Sequence, residues 1–400
     1  MSINPLVLNC AETVLSISAF GLLILSFVLL VECVAAIFPL ASNGSSSNWQ
    51  NTKIAVLIPA HNEELVINQT IINLKSALKP QHQVVVIADN CTDATAEIAR
   101  DAGAIVIERH DLERLGKGYA LNCGLEFLTF DPPEVVVFID ADCHIDKNAI
   151  ALLSLQAITS NRPVQAAYLM AKPSQPSPKD SISAFAFKVK NLVRSRGMEQ
   201  LGISCLLAGT GMAFPWSVIR CVNVASPDIV EDMKLGLDLN IAGYPSSFCP
   251  DARVIGNLPQ STAAAKSQRT RWEHGHLQTI LKYVPQLVLA ALRQKRFDLL
   301  MSALDLCIPP LSLFAVIWFG VMFVSLLFAL VTTQWIVNAI ATEAGVLLGA
   351  AILISWAKFA RSDLPLRELF AVPFYIIWKI PLYLKFLIQP QKVWIRTERE

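Results

Sequence analysis

The stretch VVVFIDADC, residues 135–143, sets two carboxylates, Asp140 and Asp142, directly behind a run of β-branched and aromatic residues. Alternate residues of an extended chain point to the same side. If the strand continues to Asp142, both acids share one face. Two unpaired carboxylates at the mouth of an apolar sheet repel each other and resist desolvation. A divalent cation removes that conflict. Hard oxygen donors suit Mg2+ or Mn2+, with substrate phosphates completing the shell. Cys143 and His144 offer a softer metal site, but no second Cys/His pair of matching spacing accompanies them.

Other segments carry complementary chemistry. RLGKGYALN (114–122) places Lys117 between two glycines ahead of a helical pattern. Its ammonium and nearby backbone N–H groups could meet a diphosphate, although the spacing is not that of a P-loop and a solvated loop lysine is the plain alternative. IVEDMKLGLDL (229–239) puts Glu231 and Asp232 at the start of a helix. They would either favour the helix dipole or act as a general base on a hydroxyl. QRTRWEHGH (268–276) gathers Gln268, Arg269, Arg271 and Trp272 with His274 and His276. The arginines can fork onto phosphate, the indole can stack on a sugar, and the two histidines read as surface residues. A cytoplasmic basic stretch near a membrane is the bland alternative for this segment.

The elements that must position these groups follow from hydrophobic patterning. Apolar runs at 54–59, 84–88 and 135–139 read as buried strands, and 64–78 and 94–102 as helices between them. This alternation predicts an α/β fold with a mostly parallel sheet, which binds ligands at the carboxyl ends of its strands. HNEE (61–64), DNCTD (89–93) and DADCH (140–144) stand at those ends. Asn62, Asn90 and Thr92 would serve equally well as helix caps.

The 400 residues are 54% apolar and only 16% charged, against about 25% charged in soluble domains. A net charge of +1 gives no reason to expect nucleic acid, and nine scattered cysteines read as reduced thiols. Uncharged runs at 14–31 and 306–331, and a run at 335–357 broken only by Glu343, are long enough to span a bilayer. The leader before the first run lacks Lys and Arg, so that run reads as a retained span rather than a cleaved signal. A fourth segment, 366–388, contains Lys379, Lys385, Pro373 and Pro381. Basic clusters on both its sides (Lys358, Arg361, Arg367; Lys392, Arg396, Arg399) favour the same compartment. The expectation is three spans, with the fourth segment interfacial or re-entrant and the tail cytoplasmic. The expected organisation is a membrane helix (1–41), a flexible SNGSSSN-containing linker (42–51), a catalytic domain (52–281), an amphipathic interface segment (282–300) and a C-terminal membrane region (301–400).

In order along the chain, PAHNEE (59–64), DNCTD (89–93), GKGYALN (116–122), DADC (140–143), VED (230–232) and QRTRW (268–272) resemble the landmarks of membrane-bound, inverting family 2 glycosyltransferases. The last three resemble the DxD, TED and QxxRW motifs of cellulose, hyaluronan and poly-N-acetylglucosamine synthases. The resemblance implies a GT-A catalytic domain flanked by transmembrane helices, at the cytoplasmic face of the cell membrane. It implies a UDP-sugar donor held by Pro59, Ala60, Asn62, Glu63, Asp89, Lys117, Asp140, Gln268 and Arg271. It further implies Mg2+ or Mn2+ on Asp142 and Asp140, Asp232 as base beside Glu231, and an acceptor near Trp272, Gly209 and Thr210. The acceptor would be a growing exopolysaccharide or other glycan; the alternative is a single transfer to a lipid carrier or lipid-linked oligosaccharide. Three or four membrane segments are few for a chain-extruding channel, so a homo-oligomer or an export partner would supply more. A catalytically silent nucleotide-sugar-binding scaffold would be expected to have lost an acid that is present here. A dinucleotide-dependent oxidoreductase would need GxGxxG where PAHNEE stands. A transporter fits poorly with the long polar middle of the chain.

Overall fold

The computed structural model describes residues 5–40, 51–173, 175–258 and 262–389, the side chains of 262–264 excepted. The serine-rich linker, Asn51 apart, and the basic tail with Lys392, Arg396 and Arg399 lie outside the described residues. A long helix, α1 (Pro5–Ala35), precedes the α/β region. That region begins β1 (Ile54–Ala60), α2 (Ile67–Ala77), β2 (Gln83–Asp89), α3 (Thr95–Asp101), β3 (Ile105–Arg109) and α4 (Lys117–Leu128). It continues through β4 (Val135–Phe138), β5 (His144–Ile145), α5 (Ala149–Ser160) and β6 (Val164–Ala171). A helical stretch follows: α6 (Pro178–Lys188), a π-helix (Val189–Arg194) and α7 (Ser195–Gln200). β7 (Met212–Pro215), α8 (Trp216–Ile219), α9 (Glu231–Ile241) and β8 (Ser247–Asn257) complete it. The remaining helices are α10 (Thr262–Gln294), α11 (Phe297–Cys307), α12 (Leu311–Thr332), α13 (Ile336–Phe359) and, after a 3-10 turn, α14 (Val372–Ile388).

The sheet runs β3-β2-β1-β4-β7-β6-β8-β5. β3, β2, β1 and β4 are parallel, and β7 joins β4 antiparallel. Both faces are covered, which is why the strands are apolar throughout rather than alternating. Ile54, Val56, Ile58, Val135 and Val137 face α2 and α5, while Ala55, Leu57, Val136 and Phe138 face α4 and α9. Each fully buried Ile or Leu contributes roughly 1.5–3 kcal/mol. The expected strands and helices are present, with α2 starting at Ile67 rather than at residue 64 because Glu63 and Glu64 remain in the loop.

Among the described residues, Pro5–Ala35, Leu311–Thr332, Ile336–Phe359 and Leu366–Ile388 are long and apolar enough to cross a membrane. The run expected from residue 306 starts as a helix only at Leu311, because Pro309 and Pro310 end α11 and open a new helix. α1 packs on α13 through Ala344, Leu348 and Ala351. Small residues allow that close approach. The domain boundary expected at 281/282 falls inside α10. Its C-terminal half is amphipathic as expected, but the buried face, with Tyr283, Leu287 and Ala291, packs on Met233 of α9 and Leu299 and Ala303 of α11. Leu281, Leu289 and Leu292 remain exposed.

The membrane helices are fastened to the α/β region by a buried ion cluster. Arg194 of the π-helix donates from Nε to Glu32 of α1 (2.9 Å) and from Nη2 to the Asp305 carbonyl of α11 (2.7 Å). Next to it, Gly197 lies so close to α1 that an added Cβ would sit 2.1 Å from the Glu32 carbonyl oxygen.

Candidate active site

The carboxyl ends of β1, β2 and β4, the starts of α4 and α9, and the middle of α10 surround one cavity of about 330 Å³. Pro59, Ala60, Glu63, Asp89, Lys117, Asp140, Asp142, Gly209, Glu231, Asp232, Gln268, Arg271 and Trp272 all line it. Asn62 and Thr210 do not. Asn62 is left-handed (φ 55°) and clamps two loops: its Oδ1 accepts from Thr92 N (2.8 Å) and its Nδ2 donates to Thr92 Oγ1 (3.1 Å). Asn90 does the same with Asp111. The cap reading of these residues gives way to loop-to-loop clamping, since α2 and α3 begin without side-chain caps. Thr210 is fully buried behind the acidic loop, where its Oγ1 accepts from Asp140 N (3.0 Å). It braces Asp140 instead of facing an acceptor.

The extended-strand premise for the acidic pair does not hold. β4 ends at Phe138 and the chain turns through Ala141 and Asp142, with Cys143 N donating to Asp140 O (3.2 Å). The turn nonetheless gathers the groups: ligand atoms of Asp140, Asp142 and Cys143 lie within 4.8 Å of one another. His144 is exposed in β5 and outside this group. Burial, and then Asp142 and Asp140, push the Cys143 thiol well above its usual range. With His144 outside the group, two carboxylates dominate the donor set, which suits a hard divalent cation.

Lys117 links the motifs. Its ammonium contacts the Asp140 carboxylate, donates to Gly209 O (2.7 Å) and comes within 3.8 Å of Glu231. Burial disfavours the ammonium, but Asp140, Glu231 and Asp232 outweigh that, and its pKa is raised. Burial pushes Glu231 up to about 7 against the pull of Lys117, with Asp232 adding to the rise. Burial likewise raises Asp232, again opposed by Lys117. Both acids occupy the first turn of α9, so the dipole stabilises them where they face the cavity. Gly209 (φ 88°) is needed there: a Cβ would lie 3.2 Å from Asp232 Oδ2. Asp89, at the end of β2, accepts from Arg109 Nη1 (2.6 Å); burial nevertheless raises its pKa.

Gln268, Arg271 and Trp272 share one face of α10, at i, i+3 and i+4. Trp272 packs on Phe187 (5.5 Å between centroids). Arg269 is instead buried, donating to Ser183 Oγ (3.1 Å) and lying over Trp378 of α14. His274 and His276 are buried, contrary to their surface reading. His274 Nε2 meets Leu382 O (3.1 Å) and His276 Nε2 meets Leu306 O (3.3 Å), so helices that the sequence keeps far apart enclose them.

Sequence reasoning missed the far end of the cavity. Lys190, Asn191 and Arg194 line it from the π-helix, and Pro310, Ser312, Tyr375 and Lys379 line it from the membrane helices. Lys379 is buried in an ion pair with Glu273 and donates to Ser312 Oγ (3.2 Å). The charge that argued against burying α14 in apolar surroundings is therefore neutralised by the residue after Trp272. Only the basic composition of FKVKNLVR (187–194) hinted at Lys190.

A family model described as "Glycosyltransferase like family 2" matches residues 51–275. "Probable glycosyltransferase YdaM" of Bacillus subtilis is 27% identical over 262 residues, 62% of this chain and 60% of that protein. The poly-beta-1,6-N-acetyl-D-glucosamine synthase of Staphylococcus epidermidis is 24% identical over 252 residues, 59% of this chain and 58% of that one. The match thus spans about three fifths of these curated relatives' length. Among solved structures, mannosyltransferase PcManGT from Pyrobaculum calidifontis, in complex with GDP-Man and Mn2+, aligns over 96% of this chain and 100% of its own. Its TM-score is 0.56 at 17% identity, which is a likeness of fold.

Proposed function

Because the chain belongs to the glycosyltransferase-like family 2, its model matching more than half the residues, we propose that it is an inverting, metal-dependent membrane glycosyltransferase. It takes a sugar from a UDP-sugar and passes it to a hydroxyl of a growing exopolysaccharide or another glycan. Lys117 carries the reading, because its contacts with Asp140 and Glu231 join three separate motifs in one cavity. Basic residues around Lys53, Lys358 and Arg361 favour a catalytic domain on the cytoplasmic side.

Asp232 removes the proton from the acceptor hydroxyl, with Glu231 beside it. The oxygen attacks the anomeric carbon from the face opposite the departing nucleotide, so the configuration inverts. Lys117 and Arg271 oppose charge growing on the diphosphate, and Trp272 offers an apolar face to a sugar. Asp89, with Pro59, Ala60 and Glu63, forms the wall for base and ribose, and Asn62 holds that wall in place. Mg2+ or Mn2+ held by Asp142 and Asp140 supplies further charge neutralisation at the diphosphate. The continuation of the cavity to α12 and α14 favours a second reading, transfer of a single sugar to a lipid carrier.

The test is nucleotide release by purified protein in lipid, across a panel of UDP- and GDP-sugars with Mg2+ or Mn2+, with the labelled product sized. Metal-dependent release from one UDP-sugar, lost in Asp232→Asn, is expected. Release that survives Asp232→Asn would remove Asp232 as the base.

A further inference from the structure

The cavity continues beyond Asp232, past the π-helix, to the heads of α12 and α14. π-helical turns are rare and occur mostly at functional sites. This one turns Lys190, Asn191 and Arg194 to the same cavity. Arg194 is consumed by Glu32 and Asp305. Lys190 is different. Among the described residues no carboxylate forms an ion pair with its ammonium; the charges acting on it are Asp232, Arg194, Asp305 and Glu273. The corresponding set around Lys117 is led by Asp140, Glu231 and Asp232. Both lysines line the cavity that Asp232 lines, Lys117 in contact with Asp140 and near Glu231, and Lys190 on the π-helix beside Asn191 and Arg194.

A part-buried ammonium without a bound anion loses hydration that nothing replaces. A neutral glycan end would leave it so. A phosphate would offset the loss, and the apolar lining beyond it, Leu311 and Tyr375, suits a hydrocarbon tail. We infer that Lys190 binds the phosphate of a lipid-linked acceptor whose tail leaves the cavity between α12 and α14. This rests on the glycosyltransferase reading and specifies its acceptor class: the reacting hydroxyl lies close to a phosphate-bearing lipid headgroup.

The test is a set of binding measurements on the full chain in dodecyl maltoside micelles, using dodecyl phosphate, dodecanol, inorganic phosphate, and UDP with Mn2+. Wild type should bind dodecyl phosphate more tightly than dodecanol or inorganic phosphate. Lys190→Met should weaken dodecyl phosphate about tenfold or more and leave UDP unchanged, while Lys190→Arg should keep most of the affinity. Equal dodecyl phosphate binding by wild type and Lys190→Met would overturn the inference. So would a loss confined to UDP, which would assign Lys190 to the donor, or inorganic phosphate binding as tightly as the lipid. Failure of wild type to bind UDP at all would instead strike the donor-site reading. A Lys190→Arg variant that binds UDP but no dodecyl phosphate would also refute the role of the charge.

Discussion

The two walls of the cavity are built by opposite means. On the donor wall most polar groups sit just beyond a strand or at a helix start, Gln268 and Arg271 of α10 apart, and bonds between neighbouring strand ends and loops preset them: Asn62 to Thr92, Asp89 to Arg109, Asp140 to Thr210. On the membrane wall the polar groups come from helices and are held by ion pairs from one helix to another, Arg194 with Glu32 and Lys379 with Glu273. The first wall is shaped by the sheet edge and the loops along it, and the second by the packing of one helix on another. Substitutions on the donor wall should therefore change chemistry, and those that break the ion pairs of the membrane wall should change cohesion.

The sharpest test is Asp232→Asn, which removes the base without removing volume. Turnover should fall about 10²–10⁴-fold, with UDP affinity and melting temperature retained; a large drop in melting would blur the division. Arg194→Met should do the reverse. It leaves Glu32 and Asp305 buried without their cation, at a cost of about 3–5 kcal/mol, seen as a lower unfolding temperature in detergent while UDP still binds below it. Asp142→Ala should weaken Mn2+-dependent UDP binding by about 10–100-fold and leave metal-free binding alone; unchanged affinity would refute the metal assignment. The mildest test is pH. The acid pair of α9 is raised, Glu231 to about 7, so the basic form is lost as pH falls through that value. kcat/KM should rise from pH 6 to 8 and level off above, about tenfold overall, as the titration of a coupled pair. A profile already flat from pH 5 would detach these acids from the reaction.

The same division explains what the sequence made legible. Strands 135–139 and 84–88 were readable because burial on both faces demands uninterrupted apolar runs, and the donor acids were readable because they sit next to those strands. The acids converge as expected even though the backbone turns at Ala141 where an extended strand was anticipated. Thr210, by contrast, reads as an acceptor residue only through the resemblance, and its place in the chain says nothing of which way a buried hydroxyl points. The burial of His274, His276 and Lys379 has one cause that no sequence pattern shows: their partners lie on other helices packed against theirs. Periodicity within a helix carries no record of such pairings.

The contact between Gly197 and the Glu32 carbonyl has a mechanical meaning. Main-chain contact at Gly197, beside the Arg194–Glu32 pair, leaves little slack between the α/β region and α1, and the two should move together. Turnover should then depend on bilayer thickness, read as activity across vesicles of different acyl-chain length. A Gly197→Ala variant, forced to pry the two apart, would loosen that contact and make turnover less sensitive to acyl-chain length.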